Sequence, residues 1–303
     1  MKEGELIFGF EGSEGTEGAK GTKGTRRTEG TKGGYGEMIT RREMLRVAGC
    51  GVLGLGLGLG GNALAEDGGK AAGFRFIVVN DIHCRDEQCH PWIRKLAGSM
   101  RRHDAAFCLI NGDLCEDGRV DQLAAVKEVF GGMGVPLYAT VGNHDYASDN
   151  GRGAFEKMFP GSINYHFEHG GWQFVGLDST EGRKVVFTSI QEATLAWLDG
   201  VLPVLDRTRP TVICTHFPLG EGVLCRPLNA DEILKRFEGF NLRATFSGHW
   251  HGYAERHFEH AIVTNSRCAS WWRLNNDGSP EKGYFLCEAT GTGDVKRQFC
   301  VLS

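Results

Sequence analysis

Several things are scarce in this chain, and each scarcity excludes something. An excess of charge of one sign is missing: 34 Lys and Arg stand against 38 Asp and Glu, for a net charge of -4. That balance argues against a general nucleic-acid-polymer or anionic-membrane binder. Residues 1–37, as in EGSEGTEGAKGTKGTRRTEGTKGG, contain almost no apolar side chains. A stretch of that kind buries too little surface to offset chain entropy, so it is expected to be low-complexity and disordered. The longest uncharged apolar run, Val47 to Leu64, falls short of the roughly 20 residues a membrane-spanning helix needs, and no stable membrane anchor is expected. No tight C-x-x-C supports a cysteine-based zinc site, and no linker interrupts residues 74–303.

What is present sorts the chain into three parts. Thr40-Arg41-Arg42-Glu43-Met44-Leu45-Arg46 precedes the apolar run, which closes on Ala63-Leu64-Ala65 and then the acidic Glu66-Asp67. A basic segment, an apolar segment and an A-x-A site make a secretory signal, and the paired arginines specify the twin-arginine type. The Gly-rich run, GVLGLGLGLGG, is weakly hydrophobic, which suits such a signal better than the alternative of a permanent membrane helix. Residues 38–65 therefore read as a signal for the twin-arginine export machinery, with cleavage near Ala65 and a periplasmic or extracellular mature protein. Signals ordinarily open a chain, and Met38 begins MITRREMLRVAGC. Residues 1–37 are accordingly expected to precede the true start, and peptides from them in the native precursor would refute this. Cys50 precedes the apolar run and does not follow it, so lipidation is not expected.

Residues 66–303 read as one α/β domain. Apolar residues make up 41% of the whole chain and Phe is plentiful at 18, enough for a sizeable core. Strands are predicted at 74–79, 107–110, 135–141, 211–214 and 244–247, and helices at 91–103, 121–130, 190–205 and 229–237, the last with a capping-box-like start at Asn229. A hairpin is predicted over 163–178, turning at His169-Gly170-Gly171, with further strand through 253–300. Strands alternating with helices imply an α/β layer architecture, and the hairpins imply mixed sheets.

Five predicted strands run into metal-capable residues: Asn80-Asp81-Ile82-His83, Asn111-Gly112-Asp113, Gly142-Asn143-His144-Asp145, Thr215-His216-Phe217 and Ser247-Gly248-His249-Trp250-His251. In open α/β sheets the ligand crevice lies at the carboxyl ends of strands, so these groups are expected to converge. Carboxylates with imidazoles suit divalent Mn, Fe, Zn or Co. The donors are too many for one tetrahedral ion, and two ions roughly 3.5–4 Å apart with a bridging carboxylate would use them. Gly112, Gly142 and Gly248 are read as permitting sharp turns after the strands. One such motif alone is weak, because a lone His is more often structural. Five in order, holding five of the eleven histidines, are not.

The set Asp81-x-His83, Gly112-Asp113, Gly142-Asn143-His144-Asp145, His216 and Gly248-His249-x-His251 resembles the calcineurin-like metallophosphoesterase superfamily. The resemblance implies a four-layer α/β/β/α sandwich with mixed sheets and two divalent metal ions. It implies that Asp81, His83 and His251 hold one ion, that Asn143, His216 and His249 hold the other, and that Asp113 bridges. His144 and Asp145 would be catalytic, His144 meeting the phosphate and the leaving oxygen and Asp145 orienting it by a hydrogen bond. A metal-bridging hydroxide would attack phosphorus in line. The stretch from Gly112 to Asp145, and Asn229-Ala230-Asp231, are similar to the cyclic-nucleotide phosphodiesterase-like (class III) branch. Purple acid phosphatases carry a Tyr ligand three residues after the bridging Asp; Glu116 stands there instead. The implied substrate is a small-molecule phosphoester, diester or monoester. Alternatives are a nucleotide or phospholipid-headgroup phosphodiesterase, or a non-catalytic metal-bound binding protein.

The remaining residues divide by context. Cys84 and Cys89 flank the first motif and could pair, while Cys108 and Cys214 fall within strands as small hydrophobes. Arg226 is read as able to reach a substrate phosphate, and His166 and His169 as able to line the cleft. Trp250 is expected beside the site, and Trp271-Trp272 in packing rather than as a ligand platform. Loops 146–165 and 217–229 are expected to set substrate choice.

Overall fold

The computed structural model describes residues 73–302; the stretches read above as a low-complexity segment, an export signal and its cleavage site lie outside them. Two mixed sheets face each other. The first runs β1 (Phe74–Val79), β2 (Cys108–Asn111) and β3 (Leu137–Thr140) in parallel, then extends from β1 through antiparallel β10 (Gly283–Ala289) and β11 (Val295–Val301). In the second, β5 (Trp172–Leu177), β6 (Thr211–Thr215), β7 (Leu242–Ser247) and β9 (Ala261–Asn265) are parallel, with β4 (Tyr165–His169) and β8 (Ala254–Phe258) antiparallel at its edges.

The near-continuous apolar run of β1 is explained by burial on both faces. Phe76 and Val78 point into the space between the sheets, where they meet Phe107, Phe174, Val212 and Phe246. Ile77 and Val79 point outward, onto helices α1 (His90–Met100) and α2 (Val120–Gly131), through Ile93, Leu96, Leu123 and Val126. The second sheet repeats the division. Val212 and Phe174 face inward, whereas Ile213, Val175 and Leu177 pack on Leu195 and Leu198 of α4 (Glu192–Val201) and on Ile233 of α5 (Asp231–Arg236). The result is the expected four layers, α/β/β/α. Phe is abundant because the inter-sheet layer is aromatic: Phe107 lies 5.4 Å from Phe76 and 5.0 Å from Phe174, centroid to centroid.

Local differences from the sequence reading have physical causes. Asn229 does not cap α5. Its amide exchanges two hydrogen bonds with the backbone of Ile190, at 2.7 and 3.0 Å, and so ties the loop before α4 to the loop before α5. Loop 146–165 contains a short helix, α3 (Gly153–Met158), anchored by Phe155 in the core. Cys84 and Cys89 form a disulfide, with Cα atoms 5.7 Å apart. Between β9 and β10 the chain makes a long excursion, residues 266–282, back toward the ends of β1 and β2. Among the described residues no helix is long and apolar enough to cross a membrane.

Candidate metal centre

The parallel strands deliver their carboxyl ends to one edge of the sandwich, and bonds between the sheets lock those ends together. The Asp81 carboxylate of the first sheet accepts from the backbone N–H of His249, at 3.0 Å, beyond the second. His216 Nδ1 of the second sheet donates to the Asn111 carbonyl of the first at 3.0 Å, and within the second sheet the Gly248 N–H donates to the His216 carbonyl at 2.9 Å. All seven residues read from the sequence as metal ligands are buried here.

Two donor clusters result. Asp81, His83, Asp113 and His251 each offer a ligand atom within 4.8 Å of the others, and Asp113, His216 and His249 do the same. Asp113 belongs to both. Asn143 joins the second cluster, with its Oδ1 at 3.2 Å from His216 Nε2. His83 Nε2 and His251 Nε2 lie 3.1 Å apart, two imidazole nitrogens aimed at the same space. The outer nitrogens of three rings are occupied: His83 Nδ1 by the Glu116 carboxylate at 2.8 Å, His216 Nδ1 by Asn111, and His249 Nε2 by the Val185 carbonyl at 2.8 Å. In the neutral ring each such bond places the proton on the outer nitrogen and leaves the inner one with the lone pair that metal ligation requires. The donor set fits two divalent ions.

Backbone geometry is specialised for the same purpose. Of the ten non-glycine residues with positive φ among the described residues, five are Asp81, His83, Asp113, His249 and His251. L-residues avoid that region, and each costs of the order of 1 kcal/mol, held by the surrounding fold. The glycines do a different job from the one read in the sequence. Only Gly112, at φ +77°, turns in the left-handed region. Gly142 is extended, and a Cβ there would sit 2.1 Å from the Asp113 backbone nitrogen and 2.2 Å from its Oδ1; one at Gly248 would sit 2.2 Å from Asp81 Oδ2. They are small because carboxylates press against them. Gly142→Ala is therefore expected to displace Asp113, lowering stability by about 1–3 kcal/mol and removing hydrolysis. Thermal melts and turnover of the variant check this, and a wild-type melt with wild-type turnover would contradict it.

Charge in the centre is tightly balanced. Burial alone would raise the Asp81 carboxyl, but His251 and His216 beside it hold it down at about 2. Burial disfavours a charged His216, yet Asp113 and Asp81 outweigh that and push it up to about 9, while burial and the neighbouring His216 bring His249 down to about 3. The raised His216 has a sign consequence. Its ion pair with Asp113 steadies the metal-free protein fully below pH 6.5 and is lost as pH rises through about 9. A bound ion requires the neutral ring, so loading must expel this proton. Metal affinity is expected to rise between those pH values, about tenfold per unit for each proton released. Calorimetric titration in buffers of different ionisation enthalpy counts the protons, and proton-free loading at pH 7 would contradict the assignment.

The predicted catalytic pair lies in the short helical turn Asn143–Asp145, but its two members part company. His144 lines the cavity over the cluster, and its backbone N–H donates to Asp113 Oδ1 at 2.8 Å. Asp145 does not orient it. The Asp145 carboxylate turns inward and accepts from the N–H groups of Gly142 and Cys115, at 2.9 and 3.0 Å, pinning the loop after β3 to the loop after β2. The His144 ring instead donates from Nδ1 to the Glu116 carbonyl at 2.9 Å, with the Glu116 carboxylate 3.4 Å away. Glu116 thus orders both His83 and His144, and only its spacing from Asp113 hinted at a role.

Other expectations are corrected at the rim. Arg226 is engaged elsewhere, donating to the Leu219 carbonyl and to Asp231. The cation at the cavity is Arg273, ion-paired with Glu116 and stacked 4.6 Å over Trp272. Its Nε is buried without a partner among the described residues. Trp272 is part of the site, not remote packing: it lines the cavity and donates from Nε1 to the His83 carbonyl at 3.0 Å. Trp250 lines the cavity as expected. His169 packs against Phe74 instead, 4.6 Å away, and neither it nor His166 lines the cavity. No sequence signal marked Arg273, since it comes from the excursion between β9 and β10.

Residues 74–253 match the calcineurin-like phosphoesterase family. The chain belongs to that family. It is a metallophosphoesterase, a hydrolase of phosphoesters, and the buried Asp and His cluster is its metal site. Solved structures of similar fold include a dimetal phosphatase from Danio rerio, 14% identical, with TM-score 0.56 over 76% of this chain and 99% of that one. The GAP50 anchor of the Plasmodium inner membrane complex is also 14% identical, with TM-score 0.57 over 77% of this chain and 85% of its own. A purple acid phosphatase from yellow lupin, 14% identical, gives TM-score 0.56 over 76% of this metallophosphoesterase, which spans 52% of the lupin chain. No curated protein matches the chain.

Proposed function

We propose that this metallophosphoesterase cleaves small phosphoesters at a two-ion centre, with Asp81, His83 and His251 holding one ion, Asn143, His216 and His249 the other, and Asp113 bridging. The observation that carries the reading is the membership of Asp113 in both donor clusters. When bound, the two ions supply Lewis acidity to the phosphoryl oxygens and acidify water for the attack. The chain supplies the rest. Asp113 is fixed by the His144 N–H, so the two clusters keep one spacing. With Nδ1 given to the Glu116 carbonyl, His144 keeps Nε2 for a proton to hand to the leaving oxygen. Arg273 offers a guanidinium to a phosphoryl oxygen while Glu116 and Trp272 hold it in place. Trp250 and Trp272 narrow the cavity and limit bulk water.

The experiment is hydrolysis of bis-p-nitrophenyl phosphate and p-nitrophenyl phosphate by residues 66–303, metal-stripped and then resupplied with Mn, Fe, Zn, Co or Mg. Metal-dependent turnover supports the reading, and the preferred ester assigns diesterase or monoesterase. Two bound ions with no turnover of either ester would favour the non-catalytic alternative. Export after cleavage near Ala65 is part of the proposal, supported by Arg41-Arg42 and the apolar run that follows. N-terminal sequencing of the secreted protein tests it, and an intact residue 38 in the mature form would refute it.

A further inference from the structure

The cavity above the centre, about 410 Å³, has two chemically different ends. Its floor is polar: His83, Asp113, His144, His249 and His251. Its upper wall includes Val185, Trp250, Trp272 and Leu274, and Leu274 is 83% exposed. The apolar surface continues outward along the chain. Val186 and Phe187 follow Val185, and Leu224 precedes Cys225, which also lines the cavity; all three are exposed, Phe187 by 72%.

This rim is not a loose loop. The Val185 carbonyl accepts from His249 Nε2 at 2.8 Å, the Thr188 carbonyl accepts from the Leu228 N–H at 2.8 Å, and the Ser189 N–H donates to the Glu181 carboxylate at 2.9 Å. The segment carrying Val186 and Phe187 is thus held on both sides, on one of them by a residue of the metal cluster. Phe187 has φ +53° and Cys225 φ +62°, a conformation that bulky residues rarely adopt. Large apolar side chains displayed together on an ordered rim mark a surface meant to be covered. Polar recognition above the floor is sparse by comparison, Arg273 and Asn276 being the polar side chains among the upper lining residues. A sugar or a nucleobase would find few side-chain hydrogen-bond partners there beyond Arg273 and Asn276.

We infer that the substrate is an amphiphilic phosphoester, its phosphate over His144 and the metal cluster and its alkyl or acyl chain against Phe187, Leu224, Leu274 and Trp272. The inference rests on the phosphoesterase reading and assigns that site its substrate class. A molecule of this kind joins both ends of the cavity in one ligand. Its charged end meets the ions and Arg273, and its chain removes the rim from water.

Alkylphosphonates test this without any need for turnover. Binding of methylphosphonate and octylphosphonate to the metal-loaded protein is measured by calorimetry, below the concentration at which the longer compound forms micelles. Octylphosphonate is expected to bind at least tenfold more tightly, about 1.4 kcal/mol. The double variant Phe187→Ser, Leu274→Ser is expected to lose most of that gap and to leave methylphosphonate binding unchanged. Both side chains are exposed, so folding is not at stake. Equal affinity for the two compounds, or a gap that survives the double substitution, would overturn the amphiphile assignment and leave the phosphoesterase reading intact. Binding of neither compound would overturn both.

Discussion

Replacing Asp113 with asparagine is expected to empty the centre of both ions together. Asp113 is the one donor shared by the two clusters, with Oδ2 at 3.5 Å from His83 Nε2 and Oδ1 at 3.3 Å from His216 Nε2. The substitution keeps the shape and removes the charge that both ions need. A ligand of one cluster should behave differently: Asp81→Asn is expected to weaken chiefly the ion held with His83 and His251. Metal content per chain, measured after dialysis, should therefore fall from two toward zero in the Asp113 variant and toward one in the Asp81 variant. Turnover should drop by roughly 10³-fold or more in the former, the scale expected when ions that supply several kcal/mol of charge stabilisation are lost. Two retained ions with undiminished turnover in Asp113→Asn would remove Asp113 from the bridging role. The metal-free fold should survive, since asparagine fills the same space. His216, deprived of the charge that lifts it to about 9, should then titrate lower.

His144→Ala is the second large effect, and its signature is selective. The ring belongs to neither of the two clusters centred on Asp113, so both ions should remain. General acid help is worth about 10²–10⁴-fold, but only where the leaving oxygen is basic enough to need a proton. Loss of turnover should therefore be large for alkyl esters and small for p-nitrophenyl esters, whose leaving group departs readily as the anion. A uniform loss across leaving groups would instead mean that His144 serves binding or metal placement. Asp145→Asn bears on the same question from another side. Its carboxylate holds two backbone N–H groups and not the His144 ring, so its loss should loosen the loop and lower stability, with no dependence on the leaving group.

Sequence alone determined the layer architecture and the cluster of donors, for a common physical reason. Strands buried on both faces must be almost continuously apolar, so FRFIVV, broken only at the exposed Arg75, and TVIC announce themselves, and the polar groups that follow at Asp81, Asp113 and His216 mark the strand ends. Because parallel strands share one direction, their ends share one edge, and five separate motifs become one site without any knowledge of distances. That Cys84 and Cys89 could pair was readable from their closeness in the chain; that they do was decided by the structure.

Only the tertiary structure decided which groups serve those donors. Side-chain hydrogen bonds depend on who faces whom across the sandwich. Glu116 is the partner of His144 that the family resemblance had implied Asp145 to be, and Arg273, far along the chain, displaced Arg226 as the cation at the cavity. The small size required at Gly142 and Gly248 likewise comes from carboxylates contributed by other strands, not from their own turns. Loops such as 185–187 and 266–282 carry no periodicity, so their approach to the cavity, and the apolar rim they build, were fixed by packing between segments distant in sequence and not by any pattern within them.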